Sequence, residues 1–557
     1  MSFLEDYGVW RQQVENAELL AELEQIEGKE KEIEDRFYRE LEFGTGGLRG
    51  VLGAGTNRMN IYTVAKATQG YSNYLKRIAE IPSVAIAYDS RNNSTLLART
   101  AAEVFAANGI QVYIYPKLMP TPSLSFAVRD LGCNGGIVIT ASHNPAKYNG
   151  YKVYGSDGCQ ITTQAAKTIQ AEIDEIDPFQ DVQKVDIDTM LAEGKIKYIG
   201  EDTVDRYLAA VQKESILPKD IDRDVSIVYT PLNGTGVSCV PRCLAEQGFT
   251  NITIPHEQKE PDGNFSTCPY PNPEVNEALQ VGLSWAERLE SELLLATDPD
   301  CDRVGAAVKG PDGYTLINGN EMGVLLFDFI CKMRTKNGAM PKDPVAVKTI
   351  VTTPMAAKVA DHYGVRLIDV LTGFKFIGEQ IGLLEKEGQT ERYIFGFEES
   401  YGYLSGGFVR DKDAVNASLL ICEMFAWYKA EGKSLLDVLD ELYQTYGYYS
   451  NRLLSFAFEG AEGFGKMSAL IEGLRENPPR ELAGYSVVKM IDHLRNDTGL
   501  PKSNVLRFWL EGGAEVVIRP SGTEPKLKIY IATTGADQTR SINQMEKLKE
   551  KLILIVN

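Results

Sequence analysis

The chain has 557 residues, 43% of them apolar and 24% charged, and 58 basic against 77 acidic residues leave a formal net charge of −19. That length exceeds one core and predicts several domains, while the composition excludes a disordered chain. So acidic a protein is repelled by phosphate backbones and anionic membranes, although a few basic side chains in a cleft can still hold a small anion.

The first 40 or so residues are charged and helix-like and carry no legible chemistry. From residue 61 a helical run leads to VAIAYDS (84–90), a helix near 95–108, VYIY (112–115) and GGIVIT (135–140). Apolar strands separated by helices predict a mostly parallel α/β sheet. The pattern restarts at DVSIVYT (224–230), NITI (251–254) and ELLLAT (292–297), and again at PVAVKTIV (344–351), VRLIDV (365–370) and YIFGF (393–397). The tail is strand-rich and ends in a helix from about 537. The expected organisation is α/β: three successive mixed α/β domains (1–201, 202–312 and 313–447) and a smaller C-terminal α+β domain (448–557), with boundaries near Glu201, Asp312 and Gly447.

Eight scattered cysteines with no CxxC pair support neither a zinc site nor a disulfide framework. MSFLEDYGVWRQQ lacks the basic leader and apolar run of a signal peptide, and no stretch approaches the ~18 apolar residues of a membrane span. A soluble, cytoplasmic protein with reduced thiols is expected.

Five loops sit where open α/β sheets bind ligands, at strand carboxyl ends. TASHNPAKYNGYKVY (140–154) follows a buried strand and presents Ser142, a candidate nucleophile, with His143 and Lys152 nearby; a plain Ser/Asn/Pro turn is the simpler alternative. No GxSxG elbow surrounds Ser142, which argues against a serine hydrolase. DPDCDRVG (298–305) puts Asp298, Asp300 and Asp302 within five residues. Carboxylates so crowded call for a hard cation, and an EF-hand fails because Arg303 and Lys309 stand where glycine and glutamate are needed. AEVVIRPSGTEPKLKIY (514–530) combines Arg519, Ser521, Gly522 and Thr523 with Lys526 and Lys528 in a phosphate-cradle pattern. GFEESYGY (396–403) offers Glu398 and Ser400 to sugar hydroxyls, and TGFKFIG (372–378) offers Lys375. FGTGGLRG (43–50) is a glycine-rich loop from which Arg49 could enter a cleft; it is not a dinucleotide fingerprint.

In this order the five motifs resemble the α-D-phosphohexomutase superfamily, in its longer-chain phosphoglucomutase/phosphopentomutase branch. The resemblance runs from about residue 40 to the end. It implies three α/β domains and a smaller fourth around a central cleft. It further implies phosphoryl transfer between glucose 1-phosphate and glucose 6-phosphate, with glucose 1,6-bisphosphate as intermediate and activator; phosphomannomutase and phosphopentomutase are the alternatives on the same scaffold. Ser142 is then the phosphorylated serine, and it completes a magnesium shell with Asp298, Asp300 and Asp302, which Arg303 steadies. Glu398 and Ser400 match the sugar-hydroxyl pair. Arg519, Ser521, Gly522 and Thr523 match the distal phosphate cradle, where Lys528 replaces an arginine of some relatives. Arg49, His143, Lys152 and Lys375 match positions around the reacting phosphate. Lys152 is favoured over His143 as general base, on the expectation that a lysine near magnesium and other cations has its pKa lowered. GFEESYG departs from the version in members that use mannose and glucose phosphates equally. The rival readings are a metal phosphohydrolase, for which four scattered histidines are a poor ligand set, and a non-catalytic paralogue, which would be expected to have lost Ser142 or an aspartate.

Overall fold

The computed structural model describes residues 2–44, 46–458, 460–521 and 526–556. Three short helices, Phe3–Gln13, Ala17–Gln25 and Glu30–Phe37, come first. Trp10, Leu23, Ile33 and Phe37 form their small core, packed against Tyr62 and Phe179 of the next unit.

Four sheets follow. The first runs in the spatial order Gly47–Val51, Tyr148–Gly155, Gly135–Ile139, Ser83–Tyr88, Gln111–Ile114, Ile196–Tyr198. Its last four strands are parallel and its first two antiparallel. Gly135–Ile139 is buried at every residue, as a continuous apolar strand covered by helices on both faces must be. The second sheet centres on Leu293–Thr297, between parallel Ile227–Thr230 and antiparallel Val304–Gly310. The third places Val345–Thr349 between parallel Arg366–Val370 and Tyr393–Glu398, with antiparallel Gly402–Leu404 at its edge. The fourth is antiparallel, its long pair Tyr448–Ala457 and Lys526–Gly535 backed by the helix Gln538–Val556. Three mixed α/β units and a C-terminal α+β unit are therefore present.

Two segments read as loops contain strands. Gly47–Val51 and Tyr148–Gly155 pair antiparallel, so Arg49 and Lys152 project from a sheet. The turn-rich composition around Asn149 and Gly150 hides this. Gly150 is needed because a Cβ there would lie 2.5 Å from the Thr140 carbonyl oxygen.

One continuous core joins the three α/β units, from Ala85 through Leu295 and Phe327 to Tyr428. The fourth unit has its own core around Leu506, Phe508, Ile518 and Leu548. It meets the third through Val505, Val517 and Tyr530, packed on Ile350, Val351 and Leu371. All eight cysteines are buried and unpaired. No helix of the described residues is long and apolar enough to cross a membrane.

Candidate active site

The carboxyl end of Gly135–Ile139 delivers Ser142 to the interior, where it is 3% exposed. Its φ of 51° is left-handed, a conformation that costs a non-glycine residue roughly 1–2 kcal/mol. The Ser142 N–H donates to Thr140 Oγ1 at 2.8 Å, and Oγ donates to Asp298 Oδ2 at 2.6 Å. His143 Nδ1 lies 3.2 Å from the same Oγ. Burial, then the charges of Arg303 and Arg49, hold the His143 imidazole well below its usual range, so it is neutral near pH 7.

Leu293–Thr297 likewise delivers the aspartates. Asp298 Oδ1 accepts from the N–H groups of Asp302 (3.1 Å) and Arg303 (3.0 Å), which folds the loop back on itself. Asp298, Asp300 and Asp302 are buried, and one oxygen of each lies within 4.8 Å of the others. Thr121 anchors the loop to the first unit: its N–H donates to the Asp300 carbonyl at 2.8 Å and its hydroxyl to Asp300 Oδ2 at 2.9 Å.

These residues fit a hard divalent cation. Asp300 Oδ1 and Asp302 Oδ1 are buried without a hydrogen-bond partner. Burial and the charges of Asp300 and Asp302 push the Asp298 carboxyl well above the usual range, a repulsion a cation would relieve. The set is all oxygen, as magnesium prefers, and the Ser142 hydroxyl adjoins it.

Two lysines crowd the same carboxylates. Lys152 Nζ is 2.7 Å from Asp300 Oδ2 and 3.1 Å from Asp302 Oδ2, and Lys412 Nζ is 3.1 Å from Asp302 Oδ2. With no cation present, burial works to lower the Lys152 pKa, but the charges of Asp300 and Asp302 outweigh burial and raise it. Arg303 reaches out of the loop to Glu274.

Glu398 ends its strand and accepts the Gly373 N–H at 2.9 Å. Burial is the main cause that lifts its carboxyl to about 7, against the restraining charge of Lys412. Ser400 follows in the turn, half-buried. Lys375 lies in the first turn of Phe374–Lys386, its amine 5.3 Å from the Phe376 ring and pushed down by burial. Arg49 sits opposite Gly150 in the first sheet.

In the fourth sheet Arg519 stands opposite Lys528, and the Ser521 N–H donates to the Lys526 carbonyl at 2.7 Å. Arg519 is near enough to Glu399 for its charge to oppose the burial that raises that carboxyl. Gly522 and Thr523 lie outside the described residues.

The phosphoglucomutase/phosphomannomutase domain models match in series: α/β/α domain I over residues 40–180, domain II over 205–313, domain III over 318–446 and the C-terminal domain over 475–549. The chain belongs to this family. The phosphoglucomutase of Staphylococcus aureus strain USA300 is 38% identical over 523 residues, 90% of this chain and 92% of that one. That of strain N315 is 38% identical over 91% and 93%. Among solved structures, pp63/parafusin of Paramecium in its open form superimposes with a TM-score of 0.68 at 17% identity, over 93% of this chain and 96% of that one. A phosphoglucomutase/phosphomannomutase family protein of Burkholderia thailandensis gives a TM-score of 0.66 at 19% identity, over 92% and 97%. At such identities these two speak for the fold alone.

The structure adds residues in contact with the candidate site that the motif reading missed. Lys412 comes from the charge run Arg410–Asp413, and its Nζ bridges Asp302 to Asp411 (3.2 Å). Glu274 holds Arg303. The dense run of charges at Arg410–Asp413 was the one signal that the sequence offered for Lys412.

Proposed function

We propose that this chain is a magnesium-dependent phosphoglucomutase that interconverts glucose 1-phosphate and glucose 6-phosphate through glucose 1,6-bisphosphate, with Ser142 as phosphoryl carrier. The observation that carries this reading is the contact of the Ser142 hydroxyl with the three-aspartate cluster.

Two phosphate positions make a mutase rather than a phosphatase. One is Ser142 Oγ. The other is assigned to Arg519, Ser521, Gly522, Thr523 and Lys528, with Arg519 presenting a guanidinium fork suited to a phosphate. Between them Glu398, Ser400 and Lys375 are assigned to the sugar and its hydroxyls. When Ser142 takes a phosphoryl group from the bisphosphate, its hydroxyl proton has two neighbouring acceptors, Asp298 Oδ2 and His143 Nδ1. Arg49, Lys152, Lys412 and Arg303 supply positive charge around the transferring group, where phosphoryl transfer depends on positioning and neutralisation. Magnesium, held by Asp298, Asp300 and Asp302, would neutralise charge developing on the phosphoryl oxygens.

The relatives that cover most of the chain carry the name phosphoglucomutase, which favours glucose phosphates over the mannose and pentose alternatives. A coupled assay with magnesium and a trace of bisphosphate tests this across glucose, mannose, glucosamine and pentose phosphates. Glucose 1-phosphate should give the highest kcat/KM; release of inorganic phosphate without isomerisation would defeat the proposal.

A further inference from the structure

Arg91 belongs to none of the five motifs, yet it donates to four carbonyls of the Ser142 loop. It follows Ser83–Tyr88, the strand beside the one that delivers Ser142, and its side chain is fully buried. Nη2 donates to the carbonyls of Ser142 and Asn144. Nη1 donates to those of Pro145 (3.0 Å) and Tyr148 (3.2 Å). Nε lies 3.4 Å from Asp89 Oδ2. The Phe265 ring, from the unit that bears the aspartates, packs 5.0 Å from the guanidinium.

Asp89 completes the frame. It accepts from the Arg91 N–H (2.9 Å), Ser94 Oγ (2.7 Å) and Thr140 Oγ1 (2.6 Å), and Thr140 Oγ1 in turn accepts the Ser142 N–H. Ser142 is therefore gripped from both sides, its N–H by Thr140 and its carbonyl by Arg91.

We infer that Arg91 is a positioning residue for the reaction, holding Ser142 in its left-handed conformation with Oγ aimed at the metal-binding aspartates. This rests on the reading of Ser142 as phosphoryl carrier. Four carbonyls in one buried arc need several donors in a fixed plane, which a guanidinium has and an ammonium lacks. Arg91→Lys keeps the charge beside Asp89 but cannot reach all four. A misplacement of about 1 Å at the reacting atom can cost about 100-fold in rate. The substrate is held by other residues, so its affinity should not follow.

The experiment compares wild type and Arg91→Lys by steady-state kinetics on glucose 1-phosphate, and by the rate at which excess glucose 1,6-bisphosphate phosphorylates Ser142, read by intact mass. We expect kcat and the phosphorylation rate to fall by roughly 10- to 100-fold, with KM changed less than about threefold. An active wild type with Arg91→Lys within threefold of it in kcat overturns the inference alone, as does a loss carried wholly by KM. A wild type that isomerises nothing overturns the functional reading and this inference with it. Should Arg91→Lys fail to fold, Thr140→Val decides, since it removes the hydroxyl that holds the Ser142 N–H at nearly constant volume. The same loss in kcat at steady KM supports the inference, and a wild-type kcat overturns it.

Discussion

Ser142 Oγ and Asp298 Oδ2 are 2.6 Å apart although 156 residues separate them in the chain. Each stands just beyond the carboxyl end of a fully buried strand, in two different sheets. The shared core that welds the first two α/β units is what makes the short distance a fixed one. Ser142→Ala should therefore abolish isomerisation, by on the order of 1,000-fold or more, while leaving the melting temperature within a few degrees of wild type. A coupled assay alongside a thermal melt measures both, and mutase activity surviving in this variant would contradict the assignment of Ser142.

Removing one metal-binding carboxylate should weaken the stabilisation that magnesium gives. Asp300 pairs with Lys152, and its charge helps push the Asp298 carboxyl up, so in EDTA Asp300→Asn removes an ion pair and a repulsion together. Saturating metal at about 100 times its Kd stabilises by about 2.7 kcal/mol, and the variant should lose most of that gain. Melts with and without magnesium, paired with a titration of activity against metal, check the prediction. A variant that gains as much from magnesium as wild type would remove Asp300 from the ligand set.

The aspartate cluster was legible because its chemistry is local: three carboxylates at alternate positions after an apolar strand need no tertiary information. Ser142 was legible for a similar reason, as a polar residue leaving a buried strand. Arg91 and Lys412 were not, because their meaning lies in partners far along the chain. Arg91 meets carbonyls 51 to 57 residues away, and Lys412 meets Asp302 in the loop after Leu293–Thr297. Tyr148–Gly155 read as a turn because Asn149 and Gly150 carry turn composition. What demands Gly150 is the Thr140 carbonyl pressing on it from just beyond the end of the neighbouring strand. The ion pairs of Lys152 were hidden for the same reason as those of Lys412, since Asp300 and Asp302 lie 148 and 150 residues further along the chain.

Glu398 gives the expected pH dependence. Its carboxyl, normally half-ionised near pH 4.5, is lifted to about 7, chiefly by burial. A raised carboxylate is ionised above that value and protonated below it, so its full capacity to accept hydrogen bonds from sugar hydroxyls is present above pH 7 and lost as pH falls. KM for glucose 1-phosphate should rise on going from pH 8 to pH 6. Glu398→Gln should have a raised KM at pH 8 and should lack this component of the profile. Because the substrate phosphate also titrates, with a pKa near 6, the comparison of the two profiles is the measurement. Parallel profiles would remove Glu398 as their cause.

Arg519 should behave unlike Ser142 and Arg91, because its assigned task is to hold the phosphate that is not being transferred. It projects from the hairpin of the fourth unit, opposite Lys528, within range of the Glu399 charge. A charge-assisted hydrogen bond contributes about 1.5–3 kcal/mol, which corresponds to roughly 10- to 100-fold in affinity. Arg519→Ala should raise KM by that factor. Single-turnover transfer from phosphorylated Ser142, measured at saturating substrate, should fall far less. A sugar without the distal phosphate should be handled almost equally by wild type and variant, since it cannot use the contact that was removed. If Arg519→Ala instead lowers the saturated transfer rate and leaves KM unchanged, then Arg519 acts on the transferring group and the two phosphate positions must be exchanged.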